Sequence, residues 1–326
     1  MENLLIEELT VNEKFQSFFL IKNIQIKKAK NSSLYIDIVL QDTSGNEVGG
    51  KIWRAENIDA AEFKIGQVVK VAGLTQLYNN KKQLNIDKMR LSQPSDQINV
   101  LDFVESAPIE SAEMIDKIDA FIEKIQNQEI KRLTIHLFNE KKEKLTYYPA
   151  AKTHHHNIRG GLLYHILTML EVGEKISYSY PFINNDILFA GVILHDLAKV
   201  DEINANEMGI VEDYSMEGKL LGHIIQGIND IDQAARELEI DNEVKVLIQH
   251  MILSHHYYPE FGSPKKPLIP EGELLHYLDI MDARMYAMEK TLKNISEGEF
   301  AERNLTLEGR SMYKSKLNYQ KLSHQS

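Results

Sequence analysis

Residues 192–202 read VILHDLAKVDE, an apolar run that sets His195 beside Asp196, with Lys199 one turn further on. The company of Val, Ile, Leu and Ala predicts a buried helix. Unpaired polar groups in such a place cost several kcal/mol each, so the pair needs a partner from elsewhere in the chain. Candidates are unevenly distributed: all 12 histidines lie at or after His136, and ten of them fall between His154 and His276.

Working outward, the same kind of context recurs. The stretch KTHHHNIRGGLLYHILTML puts His165 among Leu162, Leu163, Ile166 and Leu170. LLGHIIQG carries His223, ILSHHYYPE carries His255 and His256, and LLHYLDIMDARM carries Asp279 and Asp282. A lone histidine on an apolar helix is more often a hydrogen-bonded core residue than a ligand. Several imidazoles and carboxylates, each on an apolar helix, are better explained by a common metal site. The chain has no cysteine, so disulfides and thiolate sites are excluded and any metal is held by nitrogen and oxygen. His136, His250 and His276 fall outside the pattern and are read as structural.

The chain has 326 residues, room for two ordinary domains, and its 43% hydrophobic content can build real cores. No stretch of about 18 apolar residues suggests a membrane span, and the N-terminus MENLLIEEL is acidic where a signal peptide is basic. The expectation is a cytoplasmic protein with no membrane partner. The net charge of −11 is unevenly spread: residues 1–100 hold 13 Lys and Arg against 12 Asp and Glu, the remainder 24 against 36. Two different kinds of domain are expected.

From Phe15 to Leu91 apolar and polar residues alternate in short runs broken by Gly, Asn and Ser, which predicts several strands and a small barrel. VKVAGLTQLY and KKQLNID, joined by Asn79 and Asn80, read as a hairpin. Residues 96–112, with Pro108, read as a linker. Helical periodicity follows: Met114, Ile115, Ile118, Phe121, Ile122 and Ile125 share one face, with Ser111 as cap. The domain plan is 1–95, linker 96–112, a helical domain 113–296, and a polar tail 297–326 expected to be partly disordered.

The Val-rich strand, Gly73, Tyr78 and basic turn resemble the OB-fold nucleic-acid-binding family. The resemblance implies a five-stranded barrel that holds a single strand through a basic groove and aromatic stacking. Lys27, Lys28, Lys30, Lys81, Lys82, Lys88 and Arg90 supply charge; Tyr35, Trp53 and Tyr78 are candidate platforms. Tyr78, Lys81 and Lys82 are favoured, and Trp53 weighs more as barrel core.

The ordered set H, HD, H, HH, D resembles the two-metal form of the HD-domain phosphohydrolases. On that pattern His165, His195, Asp196 and Asp279 hold one ion, and Asp196 bridges to a second held by His223, His255 and His256. Asp282 remains an alternative to Asp279 or an orienting neighbour. Two ions about 3.5 to 4 Å apart can activate water and stabilise charge at phosphorus, so a phosphodiester is the natural target. The family pattern makes Asp196 and Lys199 the catalytic pair, Lys199 facing a phosphate oxygen. His154, His155 and Arg159, with His156 beside them, are candidate substrate contacts. Manganese is the first choice of metal, with cobalt, iron or magnesium as alternatives.

A single-strand-binding barrel joined to this centre, α+β overall, resembles the YhaM family of bacterial 3'-5' exoribonucleases. The segments HHNIRGGLLYHILTML, ILHDLAKV, ILSHHYYPEFGSPKKP and LLHYLDIMDARM carry it. It implies a single-stranded RNA substrate, with single-stranded DNA as a second, and leaves room for a homo-oligomer. The rivals are a small-nucleotide or cyclic-nucleotide phosphohydrolase, although GSP stands where cyclic-dinucleotide enzymes have GYP, and a nucleic-acid-binding protein with a residual centre.

Overall fold

The computed structural model describes residues 3–29, 32–53, 62–151, 156–293 and 295–317. The chain divides into two compact units: Met1–Ser106 with Ala205–Glu212, and Ala107–Asn204 with Asp213–Ser326.

The first unit is built on five strands: β1 (Lys14–Lys28), β2 (Leu34–Gln41), β3 (Glu47–Trp53), β4 (Val68–Tyr78) and β5 (Lys81–Leu91). They close in the order β1-β2-β3-β5-β4, the OB-fold barrel. β1 is 15 residues long, so its first half pairs with β4 and its second half with β2, across an irregularity between Ile21 and Asn23. Alternation sorts the side chains: Ile36, Ile38, Leu40, Val48, Ile52, Val69, Val71, Leu84 and Ile86 fill the interior. Asn79 and Asn80, with φ of 49° and 60°, make the two-residue turn between β4 and β5. Gly73 sits at a bulge, where a Cβ would come 2.1 Å from the Asn85 carbonyl oxygen.

Two sequence expectations are corrected here. Trp53 is not core: Val48 and Ile52 point inward, so the two-residue period turns Trp53 out, 48% exposed. The segment expected as a linker is anchored at Ile98, Phe103 and Val104, although Val100 and Leu101 between them are exposed. Phe103 is buried with Phe18, Leu20 and Val68, and Ile98 and Val104 pack on them. Met208 and Ile210, distant in sequence, join this second cluster of the first unit.

The second unit is helical: α1 (Ser111–Lys124), α2 (Gln128–Leu145), α3 (Gly161–Ser177), α4 (Asn185–Leu194), α5 (Lys199–Glu202), α6 (Met216–Glu237), α7 (Asn242–Ser254) and α8 (Pro270–Lys293). α4, apolar on every side, packs against α2, α3, α7 and α8, which explains its unbroken hydrophobic sequence. α1 buries Met114, Ile118, Phe121 and Ile122 as the periodicity predicts, but its N-cap is Glu110. Ser111 donates to the Thr146 carbonyl instead. A short hairpin, β6 (Ile203–Ala205) and β7 (Val211–Tyr214), interrupts the helices.

As far as residue 317 the polar tail is folded. Bridges Phe300 to Tyr313 and Asn304 to Arg310 fold it back, Leu307 is fully buried, and Glu308 pairs with Arg284 of α8. Among the described residues no helix is long and apolar enough to cross a membrane.

Candidate metal centre

The polar residues of the second unit converge because helices end, or break, where they stand. α4 stops at Leu194, which leaves His195 and Asp196 on the turn before α5. α7 stops at Ser254, leaving His255 and His256 on the turn that follows. α6 is broken at Gly222, whose φ of 70° and ψ of 164° are not helical, directly before His223. His165 and Asp279 lie within α3 and α8.

Asp196 is the hub. Its Oδ1 is 3.3 Å from His223 Nε2 and 3.8 Å from His255 Nε2. Its Oδ2 is 3.3 Å from His195 Nε2 and 4.0 Å from His165 Nε2. Asp279 joins from the other side, its Oδ1 3.4 Å from His165 Nε2. Donor atoms of Asp196, His223, His255 and His256 lie within 4.8 Å of one another, and so do those of His165, His195 and Asp279. One carboxylate therefore faces two donor groups with two different oxygens.

Hydrogen bonds on the far side of the rings fix which nitrogen faces inward. Nδ1 of His195 donates to the Val192 carbonyl and Nδ1 of His255 to that of Ile252. Nδ1 of His256 donates to the Phe261 carbonyl, that of His223 to Glu202, and that of His165 to Asp282. Nε2 of His195, His223 and His255 is then left facing Asp196, and Nε2 of His165 faces Asp196 and Asp279. Among the described atoms, Nε2 of His195, His223 and His255 and Oδ1 of Asp196 are buried without a hydrogen-bond partner. Four such atoms in one place are too costly to leave unsatisfied. Lone pairs of nitrogen and oxygen, with no sulfur, fit a divalent metal ion.

The electrostatics agree with a ligand set. Burial works to raise the Asp196 pKa, but Lys199, His195 and His223 hold it well below the ordinary carboxylate range. Burial, with His256 and His195 adding, keeps His255 neutral well below the usual imidazole pKa; burial acts likewise on His256. His165 goes the other way: burial opposes its charge, yet Asp279 and Asp282 push it up to about 10.

The remaining sequence candidates are scattered. Lys199 sits inside the centre, its ammonium 2.6 Å from Asp196 Oδ2. Asp282 accepts from both His165 (2.6 Å) and His156 (2.7 Å). Of the proposed phosphate contacts, His154 and His155 lie outside the described residues. His156 is buried against Tyr286 and Asp282, and Arg159 is half-buried with its carbonyl accepting from Ala107. Glu202 was missed by the sequence reading. Its role comes from a contact to His223, 21 residues further on, which no local pattern signals.

On the barrel, Tyr78 (60% exposed) and Trp53 stand in solvent, and Tyr35 lies against Trp53 at 5.1 Å between centroids. The ammonium of Lys51, which the sequence reading did not single out, lies 5.4 to 5.6 Å from all three ring centroids. Lys81 is exposed beside Tyr78. Lys82 is corrected: its ammonium is tied to the carbonyls of Ile6 and Glu7.

Residues 162–284 match the HD domain family. Among solved structures, the second OB-fold domain of replication protein A from Methanococcus maripaludis is 18% identical, with 28% of this chain and 96% of that one covered and a TM-score of 0.24. The mitochondrial single-stranded DNA binding protein Rim1 of S. cerevisiae is 13% identical, with 25% and 97% covered and a TM-score of 0.23. The 3'-5' exoribonuclease YhaM of Halalkalibacterium halodurans is 40% identical over 304 residues, which is 93% of this chain and 94% of that protein. With its barrel, its HD domain and this identity along nearly its whole length, the chain belongs to the YhaM family of 3'-5' exoribonucleases.

Proposed function

We propose that the protein is a metal-dependent 3'-5' exoribonuclease of the cytoplasm that holds single-stranded RNA on its barrel and hydrolyses the terminal phosphodiester at Asp196. Single-stranded DNA is a second substrate. The observation that carries the reading is the hub, a buried carboxylate whose two oxygens face two groups of inward nitrogens. His165, His195, Asp196 and Asp279 hold one ion; Asp196, His223, His255 and His256 hold the other. Two divalent cations, manganese first among them, supply activation of water and charge neutralisation at phosphorus.

The chain's own residues do the rest. The Nδ1 hydrogen bonds to Val192, Ile252 and Phe261 hold the imidazoles in one tautomer, so no reorganisation precedes binding. Asp282 orients His165 through Nδ1, and Asp279 is the carboxylate that faces its inward Nε2. Lys199, now on Asp196, keeps a positive charge beside the reacting phosphate. Residues 1–95 supply the strand-holding surface, where Tyr35, Trp53 and Tyr78 offer ring faces for stacking and Lys51 and Lys81 offer charge. Residues 113–296 supply the hydrolytic centre.

The test is degradation of a 5'-labelled single-stranded RNA with added Mn²⁺. A ladder shortening from the 3' end, absent with Asp196→Ala, is the expected result. Label released at once as mononucleotide, or intact RNA under every divalent metal while binding persists, would overturn the proposal.

A further inference from the structure

Each donor group around Asp196 contains one histidine backed by a carboxylate: His165 by Asp282 and His223 by Glu202. The other three rest on main-chain carbonyls, which a helix end provides whatever the side chains are. A carboxylate acceptor, by contrast, depends on a particular residue.

His223 also needs more support than its companions. It follows Gly222, where the helical path of α6 is interrupted. The carboxylate of Glu202 bridges that break: Oε1 accepts the His223 amide at 3.3 Å, and Oε2 accepts from its Nδ1 at 3.1 Å. One side chain thus fixes both the backbone and the ring. Glu202 is itself anchored, since its carbonyl accepts from the Ser215 amide at 2.9 Å. α6 comes so close that a Cβ at Gly218 would lie 2.2 Å from the same carbonyl oxygen.

We propose that Glu202 is the positioning residue that sets the affinity of the ion bound by Asp196, His223, His255 and His256, without setting that of the other ion. The inference rests on the two-ion reading above. Removing outer partners of metal-bound imidazoles typically costs about 10- to 100-fold in affinity.

The experiment is calorimetric titration of the metal-free full chain with Mn²⁺, comparing wild type, Glu202→Ala, Glu202→Gln, His223→Gln and the Glu202→Ala/His223→Gln double variant. Wild type should take up two equivalents. In Glu202→Ala one equivalent should keep its affinity and the other weaken by about 10- to 100-fold, with Glu202→Gln between. In the double variant the Glu202 change should add nothing to the loss caused by His223→Gln, because Glu202 acts through that ring. Two equivalents at wild-type affinity in Glu202→Ala, equal weakening of both, or a further loss in the double variant would each overturn the proposal. Uptake of a single equivalent by wild type would instead overturn the two-ion reading.

Discussion

Around Lys51 three aromatic rings stand at the solvent boundary, and Trp53 is about half exposed. Around Asp196 the imidazoles of His165, His195, His223 and His255 are buried, and each Nδ1 is tied down from behind. The first arrangement offers faces that any base can use, since every base has a π surface, and it tolerates imprecise geometry. The second admits only what satisfies several fixed lone pairs at once. The difference teaches that recognition and chemistry are held to different tolerances in one chain: weak, replaceable contacts in the barrel, and a mutually dependent set in the helical unit.

Substituting the hub should have the greatest effect. Asp196→Ala removes an acceptor shared by both donor groups, so exonuclease activity should fall well beyond the roughly 100-fold typical of losing an outer partner. RNA affinity in a filter-binding assay should change little. If activity survives within tenfold, the donor groups are not acting as one centre.

Next in size is the barrel. Trp53→Ala and Tyr78→Ala should each cost about 1 to 3 kcal/mol of strand binding, roughly a 5- to 150-fold rise in KM on long RNA. The maximal rate on a dinucleotide, too short to need the barrel, should stay unchanged. A fall in kcat on the dinucleotide would contradict the division of labour.

These two sites were not equally legible in the sequence. His165, His195, Asp196, His223, His255, His256 and Asp279 were readable because a polar residue in an apolar stretch is an anomaly that needs a cause, even where, as at His195 and His255, the helix ends just before it. The barrel was readable as alternation, and Asn79 and Asn80 as its turn. Trp53 was misjudged because alternation gives two faces without saying which is inside; only the inward Val48 and Ile52 decide it. Glu202 and Lys51 were missed for a shared reason. Their roles come from contacts across elements, to His223 on α6 and to rings on β2, β3 and β4, and no local pattern encodes them. Phe103 escaped because its segment has neither period.

A smaller effect sharpens the electrostatic side. Single-strand affinity falls with salt in proportion to the phosphates neutralised, at about 0.7 in the log-log slope per contact. Lys51→Ala should flatten that slope by about 0.7. Lys82→Ala should leave it alone, since that ammonium is already on the carbonyls of Ile6 and Glu7. Equal changes in both variants would mean that the aromatic cluster does not mark the strand's path.

The smallest expected effect lies in the metal-free protein and its response to pH. The pKa of His165, despite burial, is pushed up to about 10 by Asp279 and Asp282. Between the unfolded value near 6.5 and 10 the folded chain holds a proton that the unfolded chain has released, so its contribution to stability is full below 6.5 and fades as pH rises. His255 and His256, lowered chiefly by burial, act in the opposite sense: below 6.5 the unfolded chain takes up protons that the folded chain refuses, and stability falls with acid. Melting of the metal-free chain should therefore peak near neutral pH and drop by on the order of a few degrees toward pH 9. Saturating Mn²⁺ should abolish the alkaline drop, because a bound cation takes the place of the proton on His165. An alkaline drop that persists unchanged with Mn²⁺ would locate its cause outside the centre and remove His165 from the set that exchanges a proton for a metal ion.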